Sequence, residues 1–303
     1  MNQLPVVVDY LQENPETYSI ILSDVARLRK PTQIDFDREE VVGIITNVSR
    51  YYDRSLFMKY PYLKFVASPS TGLTHINLTH CKELNLSVIS LKGEAEFLKT
   101  VYATAEHTFA LILALVRELA AATRDTSDGI WNRDKFCGME LHGKTLGIIG
   151  YGRVGKQVAD IAIGFGMEVL SVDIIDNKYA ERKRQLLRKS DIVSVHVPYM
   201  RDTHGMCDAA MFRQMKYGSY FINTSRGEVV KEEDLLLALR DNLSGAAIDV
   251  MCNEHGAMNN ELFNFANDYP ERLIITPHIA GRTEESRLST DRHLATMIRG
   301  YLK

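Results

Sequence analysis

The chain has 303 residues, 45% of them hydrophobic and 25% charged, which is ordinary globular material long enough for about two domains. With 36 Lys and Arg against 39 Asp and Glu, a formal net charge of -3 gives no electrostatic reason to expect nucleic acid or an anionic membrane as a partner. Cys81, Cys137, Cys207 and Cys252 lie far apart with no C-x-x-C spacing, so neither a disulfide framework nor a metal site is indicated, and a reducing cytoplasm is the expected compartment.

In chain order, the opening Met1-Asn2-Gln3-Leu4-Pro5 has no basic region and no long apolar core, which argues against a signal peptide. Apolar runs at 5–8, 41–45, 63–66 and 86–91 alternate loosely with helical stretches and predict a first α/β layer. A long helix over 103–124 follows, apolar in its first half and therefore expected to be buried. From 145 onward, β-branched runs at 145–149, 168–172, 192–197, 219–223, 246–250 and 273–276 alternate with helical segments, the pattern of βαβ units around a parallel sheet. A helix over 284–302 closes the chain. No apolar run is long enough to span a bilayer.

The most specific motif opens the second layer. The run Leu146-Gly147-Ile148-Ile149 leads into Gly150-Tyr151-Gly152-Arg153-Val154-Gly155, a helix pattern follows over 156–165, and the next apolar run ends at Asp173. In that context Gly150 permits the turn out of the strand, Gly152 lets the backbone approach a pyrophosphate, and Gly155 lets the helix pack on the sheet. Helix N-terminal amides hold the phosphate charge, with Arg153 and Val154 in the first turn. Asp173 stands where a carboxylate accepts hydrogen bonds from an adenosine ribose and repels a 2'-phosphate, which favours NAD over NADP. Ligands in such sheets bind beyond the carboxyl ends of the strands, where Asp173, Pro198, Ser225, Asp249 and His278 fall.

Three polar features follow the later strands. Asn223-Thr224-Ser225-Arg226-Gly227 delivers a guanidinium whose planar fork can bind a carboxylate. Asp249 is followed by Glu254, and Thr276-Pro277-His278 ends the last strand. A histidine can protonate a developing alkoxide, and a carboxylate on its other nitrogen fixes the tautomer and favours the charged form. Together they suggest a carbonyl-reducing site.

Several stretches then match in order: Ala105-Glu106-His107, Gly143-Lys144-Thr145-Leu146-Gly147, the glycine fingerprint, Asp191-Ile192-Val193-Ser194-Val195-His196-Val197-Pro198, Asn223 through Gly227, Ala247-Ile248-Asp249-Val250 and Thr276-Pro277-His278. On these, nearly the whole chain resembles the D-isomer-specific 2-hydroxyacid dehydrogenase family, which includes phosphoglycerate dehydrogenases, glyoxylate/hydroxypyruvate reductases and D-lactate dehydrogenases. The resemblance implies a Rossmann-type doubly wound parallel sheet at 102–279, inserted into a flavodoxin-like α/β substrate domain made of 1–101 and 280–303. It implies that Arg226 clamps the substrate, His278 is the general acid/base and Glu254 orients His278. NAD would be contacted by Gly150, Gly152, Arg153, Val154, Gly155, Asp173, His196, Val197, Pro198, Thr203, Thr224, Ser225, Asp249 and Ala280. Ser70-Thr71-Gly72 would hold the substrate carboxylate. The partners implied are a small 2-keto or 2-hydroxy acid and a second copy of the chain, a homodimer with its arm at 125–141, where Trp131 lies.

The chain departs from the family in four places, one of them Thr74-His75 in place of the usual Asp-Asn or Asp-His pair. Met251-Cys252-Asn253-Glu254-His255 replaces the usual Phe-Glu-x-Glu-Pro, so Glu254 keeps its place beside His255 instead of proline. Asn47-Val48 replaces an Arg-Ser that helps hold phosphate in phosphoglycerate-type members, which argues against a phosphorylated substrate. Lys92 through Leu98 replaces Pro-Gly-x-Asn and reshapes substrate access. His75 and His107 read as structural, His107 through a bond across the domain junction. Formate dehydrogenases share the fold but pair the histidine with glutamine, which Glu254 contradicts. Family members that act as NAD(H)-sensing corepressors supply the non-enzymatic alternative.

Overall fold

Runs of β-branched residues build two separate parallel sheets in a computed structural model that describes residues 4–32, 38–254, 256 and 259–303. The chain divides into one unit of Met1–Thr100 with Arg282–Lys303, and another of Val101–Gly281. Expected boundaries at 102 and 279 differ from these by one or two residues.

The first unit holds β1 (Val6–Asp9), α1 (Pro15–Leu22), β2 (Arg27–Arg29), β3 (Val41–Ile45), α2 (Arg54–Phe57), β4 (Phe65–Ser68), α3 (Leu78–Glu83), β5 (Ser87–Ser90) and α4 (Ala95–Leu98). Its strands run in the flavodoxin-like order β2-β1-β3-β4-β5, all parallel. β1 and β4 are buried at every position, as central strands of a sheet covered on both faces should be. Sequence reading misses β2, because Arg27-Leu28-Arg29 carries a single apolar residue and pairs only at the sheet edge.

The second unit begins with α5 (Ala103–Val116) and α6 (Leu119–Ser127). Where one helix was expected over 103–124, the chain breaks at Glu118, which adopts φ 53°. No glycine or proline marks the break; instead the Val116 carbonyl is taken by the Met139 amide at 2.8 Å, a tertiary contact outside the helix. Phe109, Ile112, Leu115 and Val116 bury the expected apolar face of α5 against Leu146, Ile148, Val158 and Ala162. Each such side chain removed from water contributes about 1.5–3 kcal/mol.

There follow β6 (Thr145–Ile149), α7 (Arg153–Gly164), β7 (Glu168–Val172), α8 (Tyr179–Lys189), β8 (Ile192–Val195), α9 (Ala209–Phe212), β9 (Ser219–Asn223), α10 (Glu232–Asp241), β10 (Leu243–Ile248), α11 (Asn260–Asp268) and β11 (Leu273–Ile275). All six strands are parallel, in the order β11-β10-β9-β8-β6-β7. Between β7 and β8 the chain forms one helix of 11 residues, and β8 returns directly beside β6. The order therefore reverses between β6 and β8, and the carboxyl ends of those two strands face the ligand position of a doubly wound sheet.

Finally α12 (Glu284–Leu302) returns to the first unit, with Leu294, Ala295 and Ile298 packed on Val7, Tyr18, Leu22 and Phe65. Asp291 accepts hydrogen bonds from Tyr18 Oη at 2.9 Å and Asn14 Nδ2 at 2.6 Å, while Glu13 pairs with both Arg282 and Arg287 at 2.8 Å.

Candidate active site

At the β6 terminus the glycines have distinct physical reasons. Gly150 has φ 96°, and a Cβ there would lie 2.6 Å from the His196 carbonyl oxygen and 2.9 Å from Val197 Cγ1. The fingerprint turn is thus pressed against the residues that follow β8. A Cβ on Gly155 would meet the Gly150 oxygen at 2.2 Å, whereas one on Gly152 would enter open space. Gly152 opens the 12-residue α7 without any side-chain cap, so the first amides of that helix are available to an anion. Asp173 Oδ2 accepts the Tyr151 amide at 2.9 Å, which ties the acid to the glycine turn. These residues fit a dinucleotide: an uncapped helix start beside an unobstructed Cα, with a carboxylate at the end of the neighbouring strand.

Other expected cofactor residues are placed differently. The Arg153 guanidinium turns to the Val101 carbonyl at 2.9 Å and to Gln157, so only its backbone lies at the helix start. Thr203 is buried, donating to Pro198 O at 2.7 Å and accepting from the Met200 amide at 2.8 Å, which makes it the clasp of the turn after Pro198. Thr224 is also buried, its hydroxyl 2.9 Å from Thr108 Oγ1. Ser225 donates to Asn223 Oδ1 at 2.7 Å. His196 shares a 2.8 Å hydrogen bond with Ser194, and burial pushes its pKa down to about 4, so the ring is neutral.

Arg226, Glu254 and His278 arrive on the segments that follow β9, β10 and β11. Glu254 Oε2 lies 2.6 Å from His278 Nδ1, a charge-assisted distance. Its other oxygen accepts the Met251 amide at 3.1 Å. Burial works to raise the Glu254 pKa, but the bond and charge of His278, the Met251 amide and the Arg226 charge outweigh it and hold the carboxyl below its ordinary value. Arg226 is half-buried, with Nη1 on the Ser225 carbonyl at 2.6 Å; burial lowers its pKa while Glu254 and Glu228 oppose that. Guanidinium, carboxylate and imidazole therefore form one electrostatically coupled group. His255 lies outside the described residues.

His278 itself sits at φ 54°, a conformation that costs a non-glycine residue about 1–2 kcal/mol and persists only where its surroundings enforce it. The enforcing group is Asp249. Its backbone oxygen accepts the His278 amide at 2.8 Å, and its carboxylate accepts the amides of Ile279 and Ala280 at 2.9 and 2.8 Å and the Thr276 hydroxyl at 2.5 Å. His107 Nε2 completes the set, 3.4 Å from Asp249 and 3.1 Å from Thr276. Burial raises the Asp249 pKa, yet these donors more than offset it and keep the acid ionised. Asp249 was expected to contact NAD; its side chain, 1% exposed, holds the turn that carries His278. His107, expected to bond across a domain junction, bonds within its own unit beneath that turn. Sequence reading picked out all four residues without connecting them, because His107 and Thr276 are 169 positions apart.

In the first unit, Ser70 Oγ donates to the Gly72 carbonyl at 2.7 Å and lies 3.0 Å from Ser68 Oγ. His75 is buried, with Nε2 3.1 Å from Ser68 Oγ and 3.2 Å from Thr46 Oγ1, in keeping with a structural histidine. The loop of Ser70, Thr71 and Gly72 follows β4 at its carboxyl end. Burial pushes the Cys252 thiol up to about 12, as expected of a packing residue. Among the described residues, no group of three or more His, Cys, Asp or Glu side chains is arranged to hold a metal.

Comparison with known proteins identifies the family. Residues 109–280 match the family model described as D-isomer specific 2-hydroxyacid dehydrogenase, NAD binding domain. The D-3-phosphoglycerate dehydrogenase of Archaeoglobus fulgidus is 30% identical over 300 residues, covering 93% of this chain and 52% of that protein. A glyoxylate reductase of Thermococcus litoralis is 33% identical over 264 residues, 82% of this chain and 76% of its own. The chain thus spans about half the length of the first relative and about three quarters of the second. Among solved structures, D-lactate dehydrogenase from Aquifex aeolicus, complexed with NAD and lactic acid, superposes with a TM-score of 0.80 at 30% identity, covering 98% of this chain and 95% of that one.

Proposed function

Since the chain belongs to the D-isomer-specific 2-hydroxyacid dehydrogenase family, whose NAD-binding domain occupies 109–280, we propose that it interconverts a 2-keto acid and the D-2-hydroxy acid with NAD as redox partner. The observation that carries this reading is the 2.6 Å pairing of His278 with Glu254 beside Arg226, all beyond the carboxyl ends of strands in the sheet that bears the fingerprint.

The residues that would hold the dinucleotide are Gly150, Gly152, the α7 amides from Arg153 to Gly155, and Asp173 for the adenosine ribose, with the 196–198 segment alongside. When bound, NADH supplies a hydride for the carbonyl carbon. Arg226 would engage the substrate carboxylate and carbonyl through its guanidinium fork, which also polarises the carbonyl. Because Nδ1 of His278 is bonded to Glu254, Nε2 is the nitrogen that faces the reacting oxygen. It would donate a proton in the reductive direction and accept one in the oxidative direction. Ionised Glu254 stabilises the imidazolium and fixes its tautomer.

Exposed Ile130 and Trp131, the latter 90% exposed, support a homodimer through the 125–141 arm. No helix among the described residues is long and apolar enough to cross a membrane. The four scattered cysteines support a cytoplasmic protein, and the near-balanced charge supports one without a nucleic-acid partner. A screen of NADH oxidation against glyoxylate, hydroxypyruvate, pyruvate, 2-oxoglutarate and phosphohydroxypyruvate tests the reading. Turnover of a non-phosphorylated keto acid is expected; silence on all of them with NADH still bound would favour an NAD(H)-sensing role.

A further inference from the structure

A second carboxylate grips the loop that carries Glu254. Glu232 opens α10, and its Oε1 accepts the Cys252 amide at 2.6 Å. The same carboxylate is hydrogen-bonded to the Asn259 side chain. Cys252 and Asn259 lie on either side of Glu254 in the sequence, and this one side chain bonds both. Gly227 also packs on this peptide backbone to backbone: a Cβ there would lie 1.9 Å from the Met251 carbonyl carbon and 2.4 Å from the Cys252 nitrogen. The peptide between Met251 and Cys252 is therefore held by two contacts, the close-packed Gly227 backbone and the Glu232 carboxylate. Its neighbour, the Met251 amide, bonds Glu254 Oε1, and Glu254 Oε2 bonds His278.

Holding a carboxylate here is costly. Burial and the nearby Glu228 both push the Glu232 pKa up, and only the loop donors at Cys252 and Asn259 oppose them. A general preference for acids at a helix start does not explain the placement, since Glu233 and Asp234 share the first turn. Asp234 bonds the Ala209 amide and Glu233 is exposed, whereas Glu232 reaches the loop.

We propose that Glu232 is a positioning residue for the acid–base pair: by holding the Cys252 amide and Asn259, it fixes the loop so that Glu254 spans the Met251 amide and His278 Nδ1. The inference rests on the reading of His278 as general acid/base. The charged or titratable groups around it are Arg226 and His278 facing Glu254, with Glu228 and the Cys252 thiol facing Glu232.

The test uses the full chain with Glu232→Ala, Glu232→Gln, Glu254→Gln, the double variant Glu232→Ala/Glu254→Gln, and Glu233→Ala as control. Glu232→Ala should lower kcat about 10- to 100-fold, the loss that follows a displacement of about 1 Å. The basic limb of its pH profile should move to lower pH, with NADH affinity unchanged. Glu232→Gln, whose amide oxygen can still accept the Cys252 bond, should stay within about threefold of the parent. Because Glu232 acts through Glu254, the double variant should be no slower than Glu254→Gln alone. In proton spectra, the downfield Nδ1 resonance that disappears in His278→Gln should weaken in Glu232→Ala and persist in Glu233→Ala. Multiplying losses in the double variant, or a slowed Glu232→Ala with an unmoved pH profile and an intact downfield proton, would overturn the proposal. Should the parent reduce no keto acid, the functional reading fails, while the proton resonance still decides the role of Glu232.

Discussion

Replacing Gly227 with alanine probes its backbone contact with Met251 directly. Gly227 is not in the left-handed region, so the change is conformationally allowed, and on entropic grounds alone it would stabilise the fold by about 0.4–1 kcal/mol. Contacts reverse that sign. The added methyl would lie 1.9 Å from the Met251 carbonyl carbon and 2.0 Å from its oxygen, and ordinary contact begins at 3.4 Å, so the two backbones must separate by about 1.5 Å. No side-chain rotation relieves this, since the three atoms nearest that methyl are all backbone. Overpacking of this kind costs about 1–3 kcal/mol. Were the 251–254 loop to take up the whole displacement, the 2.6 Å bond between Glu254 and His278 would open to about 4 Å, beyond hydrogen-bonding range. Misplacement by about 1 Å can cost 10²-fold in rate. Gly227→Ala is therefore expected to unfold at lower urea concentration and to lose about 10²-fold in kcat with NADH affinity retained. Urea titration and NADH absorbance in the steady state measure both. A variant as stable and as fast as the parent would refute the idea that this backbone contact sets the site.

Arg226→Ala should abolish keto-acid turnover while NADH still quenches or enhances protein fluorescence at its usual concentration; loss of NADH binding would contradict its assignment to substrate. Asp173→Ser should weaken NADH binding and narrow the preference over NADPH, measured as the ratio of kcat/KM values, because the carboxylate that repels a 2'-phosphate is gone. Neutral, half-buried His196 makes stability fall with acid. Its folded pKa of about 4 lies below the ordinary 6.5, so the unfolded chain binds the extra proton: the penalty is absent above about pH 6.5 and grows as pH falls toward 4. Given its partial exposure, about 1–2 kcal/mol should be lost between pH 7 and pH 5 in the parent and not in His196→Asn; equal losses in both would remove His196 from the account.

Much of this molecule was legible in its sequence because local signals and tertiary structure agree. β6, β7 and β9 occupy 145–149, 168–172 and 219–223 as the β-branched runs predict, and α12 spans the predicted 284–302. The partnership of Glu254 and His278, 2.6 Å apart, was implied by the family resemblance, with acid–base chemistry supplying its reason. What escaped was set by distant contacts. The break at Glu118 has no helix-breaking residue, and β2 is an edge strand with one apolar residue. Arg153, Thr203 and Thr224 carry polar groups that could face a ligand or the protein, and only the folded chain shows them turned to Val101, Pro198 and Thr108. The positive φ of His278 and the Asp249 network that enforces it depend on bringing together the segments after β10 and β11 and the start of α5. Glu232 looked like one of three acids in a first helical turn, and nothing in the sequence distinguishes the one that reaches Cys252.

The most direct test of the central claim compares the parent with His278→Ala in single-turnover NADH oxidation, using whichever keto acid the parent reduces fastest. Hydride transfer in the parent, a loss of about 10²–10⁴-fold in the variant and unchanged NADH binding in both are the predicted result. A variant that transfers hydride at the parent rate would contradict the assignment of His278 as the proton donor, and with it the mechanism built on Glu254.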